Sequence, residues 1–281
     1  MSQKSYNGKE CLYLIPTPIG NLEDITIRSL NLLKSVDLIL CEDTRVTGNL
    51  LKKYDIKKKL ISCHEHNEDK IKEKVIEELK LGKNIGLVTD QGSPIISDPG
   101  FIIAKAVIEY GFNVVGLPGA TAFVPALISS GINPSPFLFY GFLNSKNSKQ
   151  KAELESLKNL KYTIIFYEAP HRIKNTLENI KEVFGNRKMS LSREISKMYE
   201  EIFRGSIDNI IDEISDIKGE IVLVIEGNTT IVDYSSISII EHMKIYLEDG
   251  ISEKEAMKKV AKERHVSKSV IYKEYQDYKD K

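Results

Sequence analysis

The sequence predicts an α/β protein of two domains with a small helical unit at its C-terminal end, and three observations predict it. Over the first part of the chain, short apolar and β-branched runs alternate with longer segments of helical periodicity, the pattern of a parallel sheet with crossover helices. Several of those runs end in turns rich in glycine and proline. Beyond Gly227 the strand pattern stops, and Tyr234 to Lys281 reads as helix throughout. The expected divisions are residues 1–118, 119–232 and 233–281.

Taken in order, the first series of strands is expected at Cys11 to Pro16, Val36 to Cys41, Lys59 to Cys63, Ile85 to Thr89 and Asn113 to Leu117. Between the third and fourth, Ile71, Val75, Ile76 and Leu79 recur at helical spacing with Lys and Glu on the other face, until Gly82 ends the pattern. A second series follows at Phe137 to Tyr140, Tyr162 to Tyr167, Met189 to Ser192 and Glu220 to Glu226. Asn144 to Gln150 is polar and unpatterned, a loop or the start of a helix, and its neighbourhood offers Lys146, Lys149 and Lys151 as candidate phosphate contacts. In the tail, Ser252 and Glu255 stand three apart and read as a capping box opening a helix with Ala256, Val260 and Ala261 on its apolar stripe. Val266-Ser267 then turns into a helix carrying Val270, Ile271 and Tyr275, and the pair resembles a helix-turn-helix.

At 281 residues, 41% hydrophobic and 28% charged, the chain has the apolar material for a full core. Its 40 Lys and Arg balance 40 Asp and Glu, so contact with a nucleic acid would have to come from local patches. The densest is Lys52, Lys53, Lys57, Lys58 and Lys59, interrupted by Tyr54 and Asp55. Cys11, Cys41 and Cys63 lie at the edges of apolar runs and form no CxxC pair, which predicts reduced, buried thiols in a cytoplasmic protein. No segment approaches the length of a membrane span, and Met1 to Glu10 lacks the apolar centre of a signal peptide.

Chemistry is expected where strands end, because an α/β sheet binds ligands beyond the carboxyl ends of its strands. Four such ends carry loaded turns. Pro16-Thr17-Pro18-Ile19-Gly20-Asn21-Leu22 is stiffened by two prolines, and it lacks the GxGxxG spacing of a dinucleotide site. Glu42-Asp43-Thr44-Arg45 places two carboxylates and a guanidinium after a buried strand, although capping of the next helix explains Asp43 or Thr44 equally well. In Thr89 to Gly100, Asp90 sits at the strand terminus, while Asp98 and Pro99 suit the start of the following helix. Leu117-Pro118-Gly119-Ala120-Thr121 is the fourth. Two further clusters stand out. His64-Glu65-His66 would present both imidazoles on one side of a strand, as a polar strand end, a substrate contact or part of a metal site that lacks a third ligand of convincing spacing. Tyr167-Glu168-Ala169-Pro170-His171-Arg172 gathers an aromatic, an acid, an imidazole and a guanidinium at the end of a second-domain strand, where a helix start with Pro170 in its first turn is the alternative.

Together, Pro16-Thr-Pro-Ile-Gly-Asn-Leu-Glu-Asp-Ile, Glu42-Asp-Thr-Arg, His64-Glu-His-Asn-Glu, the Asp90 to Gly100 loop, Leu117-Pro-Gly and Phe166-Tyr-Glu-Ala-Pro-His-Arg closely resemble the ribosomal RNA small subunit methyltransferase I family. The resemblance runs from about Cys11 to the C-terminus. Gln91 and Ser93 replace the more usual alanine and threonine, and Ala120-Thr121 a more usual Pro-Cys. It implies the tetrapyrrole methylase superfamily, homodimers of two α/β domains that bind S-adenosyl-L-methionine in the cleft between them. It also implies methyl transfer to the ribose 2′-hydroxyl of a cytidine in the decoding region of 16S rRNA, within the small ribosomal subunit, and no metal.

On this reading the cofactor site is expected at Pro18, Asp90, Ser93, Pro94, Ile95, Leu117, Pro118, Gly119 and Tyr167. Alkylation of a hydroxyl calls for a general base or for a cation that stabilises an alkoxide, and Asp24, Glu42, Asp43 and Arg45 are the leading catalytic group. His64, Glu65, Glu168, His171 and Arg172 are the expected substrate contacts. Two other readings compete: methylation of a tetrapyrrole such as a corrin precursor, with the same fold and cofactor, and a DNA-binding regulator built on the terminal helix pair.

Overall fold

The computed structural model describes residues 2–5, 7–215, 217–229, 234 and 237–279. The chain forms two compact units, Met1–Asn228 and Thr229–Lys281.

The first unit holds two sheets. In the first, β1 (Cys11–Leu14), β2 (Leu38–Cys41), β3 (Lys59–Ser62), β4 (Ile85–Val88) and β5 (Asn113–Gly116) run parallel in the order β3-β2-β4-β1-β5. All five expected strands are present; four end one or two residues early, their last residues peeling away into the following turn, while β2 ends at Cys41 as expected and starts two residues late, at Leu38. The helices between them are α1 (Ile27–Ser35), α2 (Thr44–Lys53), α3 (Glu68–Lys80) and α4 (Phe101–Glu109). Leu33 and Leu51 from α1 and α2 pack with Cys11, Ile39 and Val88 on one face. Val75, Leu79 and Ile103 from α3 and α4 pack with Leu12, Leu40 and Leu87 on the other. Burial on both faces is why β2 and β4 read as continuous apolar runs. The chain leaves β1 and β2 toward one edge of the sheet and β4 toward the other, so strand order reverses around β4, flanked by β2 and β1. That reversal opens the crevice where such sheets take ligands.

After α5 (Phe123–Ser129) the second sheet forms from β6 (Phe137–Phe142), β7 (Thr163–Glu168), β8 (Lys188–Arg193), β9 (Glu201–Ser206) and β10 (Ile221–Ile225), in the order β6-β7-β10-β8-β9. Only β6 and β7 pair in parallel. β9 escapes sequence reading because it is a half-exposed edge strand with Arg204 and Gly205 in its interior, which gives little apolar alternation. One face of the sheet, with Ile164, Phe166 and Leu223, packs on α6 (Asn147–Leu157), α7 (Ile173–Phe184) and α8 (Ile207–Glu213). The other face, with Ile165, Val222 and Val224, packs against Ala126 and Leu127 of α5 and Ile19 of the turn after β1. The polar stretch near Gln150 is therefore helix, and Lys151 in it pairs with Glu182 at 2.6 Å. All three cysteines are free and buried, and burial pushes Cys11 up to about 11 and Cys63 up to about 12.

In the second unit α9 (Ile239–Glu248), α10 (Glu253–Glu263) and α11 (Lys268–Lys279) share a core of Met243, Ala256, Val260, Ala261, Ile271 and Tyr275. Ser238 and Glu241 form a full capping box on α9. The box expected at Ser252 does not form: Ser252 is the N-cap of α10, but the Glu255 amide donates to its carbonyl oxygen at 2.9 Å and its hydroxyl caps nothing. Among the described residues, no helix is long and apolar enough to cross a membrane.

His242, fully buried, lies under the ring of Tyr234 with centroids 3.5 Å apart. Arg264 Nε donates to its Nδ1 at 3.2 Å, so Nδ1 carries no proton and Nε2–H donates to Glu263 at 3.0 Å. Burial, opposed by Glu263 and helped by Arg264, holds the imidazole below its ordinary value. The unfolded chain therefore binds a proton that the folded unit refuses, and stability is lost as pH falls through about 6.5. Expected results are a His242 ring that stays neutral by NMR below that pH, and a lower urea midpoint for α9 to α11 at pH 5.5 than at pH 7.5.

Candidate active site

The strand-end turns are laced together by hydrogen bonds. The Thr17 amide donates to Gly92 O at 2.9 Å, the Gly92 amide returns to Thr17 O at 3.1 Å, and the Thr17 hydroxyl donates to Thr89 O at 3.1 Å. The turn after β1 is thereby zipped to the turn after β4. The Ser93 hydroxyl donates to Ala120 O at 3.0 Å, tying in the turn after β5. There Gly119 lies against Pro16 so closely that a Cβ would come within 2.5 Å of the proline Cβ, so only glycine fits. The turn after β2 joins through the Asp43 amide, which donates to Asp90 Oδ1 at 3.1 Å, and through Glu42, which accepts from the Thr89 hydroxyl at 3.3 Å. Pro18, Asp90, Ser93, Pro94, Ile95, Leu117, Pro118 and Gly119 all belong to this linked set of turns.

The loop after β4 is strained. Gly92, Ile95, Ser97 and Gly100 have φ of 84°, 76°, 64° and 123°. A positive φ at β-branched Ile95 is a rare conformation that costs on the order of 1–3 kcal/mol and persists only where the surroundings enforce it. Part of the enforcement lies at the loop's exit. Gly100, the N-cap of α4, offers no side chain, and the Ile102 amide donates instead to the buried carboxylate of Glu68 at 3.0 Å. Glu68, the last acid of the His64 to Glu68 motif, is thus an anchor for this loop. Asp98, read from sequence as part of the helix start, is left free of capping.

Asp98 instead joins Glu42 and Asp90 in a group of carboxylates. Burial first, then the charges of Glu42 and Asp90, push it up to about 6 against a hydrogen bond from Thr89. Burial also raises Asp90, opposed by the hydrogen bond from the Asp43 amide and helped by the Asp43 charge. Asp43 is the opposite case. Its carboxylate caps α2 by accepting from the Arg45 amide at 2.7 Å, and it accepts from Arg45 Nη2 at 2.6 Å, which draws it down to about 2. A carboxylate that holds protons so weakly is a poor general base at neutral pH, and Arg45, 87% exposed, is occupied as its partner. Asp24 accepts from the hydroxyl of Ser196, which bridges the turn after β1 to a loop of the second sheet. Of the four residues expected to be catalytic, Glu42 alone stands beside Asp98, whose charge it opposes, and accepts from the Thr89 hydroxyl.

The Tyr167 to Arg172 cluster separates into two faces, because neighbouring residues on a strand point opposite ways. Tyr167 packs with Phe139 and Phe142 on the face toward α5, where hydrogen bonds with Thr121 and the Phe123 backbone partly offset the burial that raises its phenol. Glu168 turns to the opposite face and is wholly buried. Its Oε1 accepts from Arg172 Nη2 at 2.6 Å and from the Ala169 amide at 2.7 Å, and its Oε2 accepts from the Thr176 hydroxyl at 2.6 Å. Gln150 Nε2 donates to Thr176, and Asn179 donates to Gln150, so the knot ties β7 to α6 and α7. Glu168 and Arg172 are thus engaged within the protein, and His171 is exposed beside them. His64, Glu65 and His66 are exposed as well, and they lie beyond the end of β3 in a turn, not on a strand; the two imidazole centroids are 6.2 Å apart. Among the described residues, no group of three or more His, Cys, Asp or Glu is placed to hold a metal. A cavity of about 370 Å³ lies between α3 and α4, lined by Ile76, Phe101, Lys105 and Tyr110.

Residues 11–211 match the family described as Tetrapyrrole (Corrin/Porphyrin) Methylases. The ribosomal RNA small subunit methyltransferase I of Bacillus subtilis (strain 168) is 49% identical over 97% of each chain, and that of Halalkalibacterium halodurans is 43% identical over 98% of each. The chain belongs to the ribosomal RNA small subunit methyltransferase I family of tetrapyrrole methylases. Its fold is also that of a uroporphyrin-III-C-methyltransferase from Thermus thermophilus, with a TM-score of 0.55 and 18% identity over 77% of this chain and 94% of that one. A diphthine synthase gives 0.58 and 14% over 78% and 91%.

The methyl donor of this tetrapyrrole methylase is S-adenosylmethionine, which carries positive charge on its sulfonium and its ammonium. The linked turns suit such a group: they present the carboxylates of Glu42, Asp90 and Asp98 at the switch point of a parallel sheet, with the close-packed Gly119 turn beside them. Sequence reasoning missed Asp98 as a chemical group, Glu68 as an anchor and Ser196 as the partner of Asp24. The Asp98-Pro99-Gly100 string carried the first in plain view, but its resemblance to a helix start masked it.

Proposed function

We propose that this chain methylates small-subunit rRNA, transferring the methyl group of S-adenosylmethionine to the ribose 2′-hydroxyl of a cytidine in the decoding region. The observation that carries the reading is the end-to-end likeness to ribosomal RNA small subunit methyltransferase I proteins, which extends through the terminal helices beyond residue 211 where the general methylase match stops.

S-adenosylmethionine supplies an electrophilic methyl group, and most of the acceleration of such a transfer comes from holding the nucleophile in line with it. The residues of the linked turns do the holding. Ser93, Gly119 and the backbone from Pro16 to Pro18 would shape the place of the cofactor, Asp90 and Glu42 would offer it negative charge, and Tyr167 would border it from the second sheet. A sugar hydroxyl is a very weak acid, so its proton needs a destination as the new bond forms. Asp98 is the group in these turns fitted to take it, because its proton affinity lies close to neutral pH while that of Asp43 is far below. Methylation at a carbon of a tetrapyrrole makes no such demand of a carboxylate beside the methyl group. The homodimer implied by the family is part of the same proposal.

The test is a map of ribose methylation in 16S rRNA from a strain lacking the protein, with add-back of purified enzyme and labelled S-adenosylmethionine to its small subunits. One decoding-region cytidine is expected to lose its 2′-O-methyl group in the strain and regain it on add-back. Unchanged rRNA methylation together with transfer to a tetrapyrrole overturns the reading.

A further inference from the structure

The second unit is close to neutral overall, yet its charges are sorted. From Lys258 to Lys273 the chain carries Lys258, Lys259, Lys262, Arg264, Lys268 and Lys273 against the single acid Glu263, while Glu241, Glu248, Asp249, Glu253 and Glu255 precede this stretch with Lys244 and Lys254 among them, and Glu274, Asp277 and Asp280 follow it. Two of these cations have local work: Arg264 is bonded to His242 and to the Ile237 and Ser238 carbonyls, and Lys259 lies over the Tyr246 ring. Glu263 is taken up by His242 and Tyr246.

Lys258, Lys262, Lys268 and Lys273 remain, all exposed and, among the described residues, without an ion-pair partner. Ala256, Met257, Val260 and Ala261 turn the opposite face of α10 into the core, so Lys258 and Lys262 project one turn apart from its outer face. The short turn through His265 brings the end of α10 up to the start of α11, where Lys268 stands in a first turn that holds no acid. A cation there opposes the helix dipole, so it is not explained by the stability of α11. Beside it Ser267 and Ser269 share a hydrogen bond of 2.8 Å between exposed hydroxyls, and Tyr272 presents a ring 54% exposed.

We propose that the exposed lysines of this stretch of α10 and α11, Lys258, Lys262, Lys268 and Lys273, grip the phosphodiester backbone of the structured RNA substrate. The inference rests on the reading of rRNA as substrate and adds where the RNA is held. Lysines contact phosphate as point charges and read no sequence, so the surface supplies affinity and register. An exposed tyrosine beside them suits stacking on an unpaired base, a feature of RNA more than of duplex DNA.

The experiment compares the full-length chain with a variant carrying Lys258→Gln, Lys262→Gln, Lys268→Gln and Lys273→Gln, and with the fourfold Lys→Arg variant as a charge-preserving control. The probe is small ribosomal subunits lacking the methyl group. Binding is followed from 50 to 300 mM salt, with kcat and KM measured alongside. The Gln variant is expected to lose about one unit of log–log salt slope per phosphate contact removed and to raise KM more than tenfold, with kcat and cofactor affinity kept and the Arg variant near normal. An unchanged salt slope and KM overturn the proposal, as does a loss confined to duplex DNA binding. Salt-dependent binding to subunits that the wild-type chain cannot methylate would sink the substrate reading while leaving the surface supported.

Discussion

Asp98→Asn is expected to lower the single-turnover rate of methyl transfer by roughly two orders of magnitude or more while leaving the folded chain as stable as before, or more so. The two effects have one cause. Burial and the neighbouring carboxylates of Glu42 and Asp90 raise Asp98 to about 6, so above that pH the folded protein carries a charge that its surroundings oppose. A carboxyl group raised in the folded state contributes its stability below the unfolded value near 4, and that contribution is lost as pH rises through about 6. Asparagine removes the charge and keeps the shape, so the melting temperature at pH 7.5 should hold or rise. On the proposed mechanism the same charge takes the proton, so the wild-type rate should climb with pH through about 6 and then level, and the variant should lose that limb. Calorimetry separates the alternative: an Asp98 that serves only to hold the cationic cofactor would weaken its dissociation constant in the variant and leave the rate at saturation near normal.

Glu168→Ala is expected to cost about 3–5 kcal/mol of unfolding free energy, the range for breaking a buried ion pair by deleting one partner. The substitution leaves Arg172, only 21% exposed, without its carboxylate and strands the Ala169 amide and Thr176 hydroxyl without their acceptor. Replacing both partners with apolar residues, Glu168→Leu with Arg172→Met, should recover most of the loss, since such swaps remove the desolvation cost along with the pair. Urea unfolding measures the stabilities, and subunit binding of the double variant tells structure from recognition. Retained binding confirms a structural knot; a binding defect in a well-folded double variant would return Glu168 and Arg172 to the substrate surface.

Much of the architecture was legible because periodicity survives in one dimension. The central strands Leu38 to Cys41 and Ile85 to Val88 of the first sheet announced themselves by being buried on both faces and so apolar without interruption. β9 did not, since half-exposed residues on an edge strand obey no strong pattern. The linked turns were legible as turns, through their prolines and glycines, and their convergence followed from the rule that ligands meet a parallel sheet at its carboxyl edge.

What stayed hidden was the direction and partnership of individual side chains. Six adjacent residues from Tyr167 to Arg172 looked like one cluster, but the two-residue period of a strand sent Tyr167 toward the turns and Glu168 into the helical layer. Asp43 and Asp98 are both acids in loaded turns. One sits beside Arg45 at a helix start and is drawn down to about 2, while the other is partly buried beside Glu42 and Asp90 and is pushed up to about 6. Composition and spacing are local and reach the elements and the turns that join them. Proton affinity and availability depend on which groups the fold brings within a few ångströms from distant parts of the chain, and Glu42, Asp90 and Asp98 become a single electrostatic group only when β2 pairs with β4.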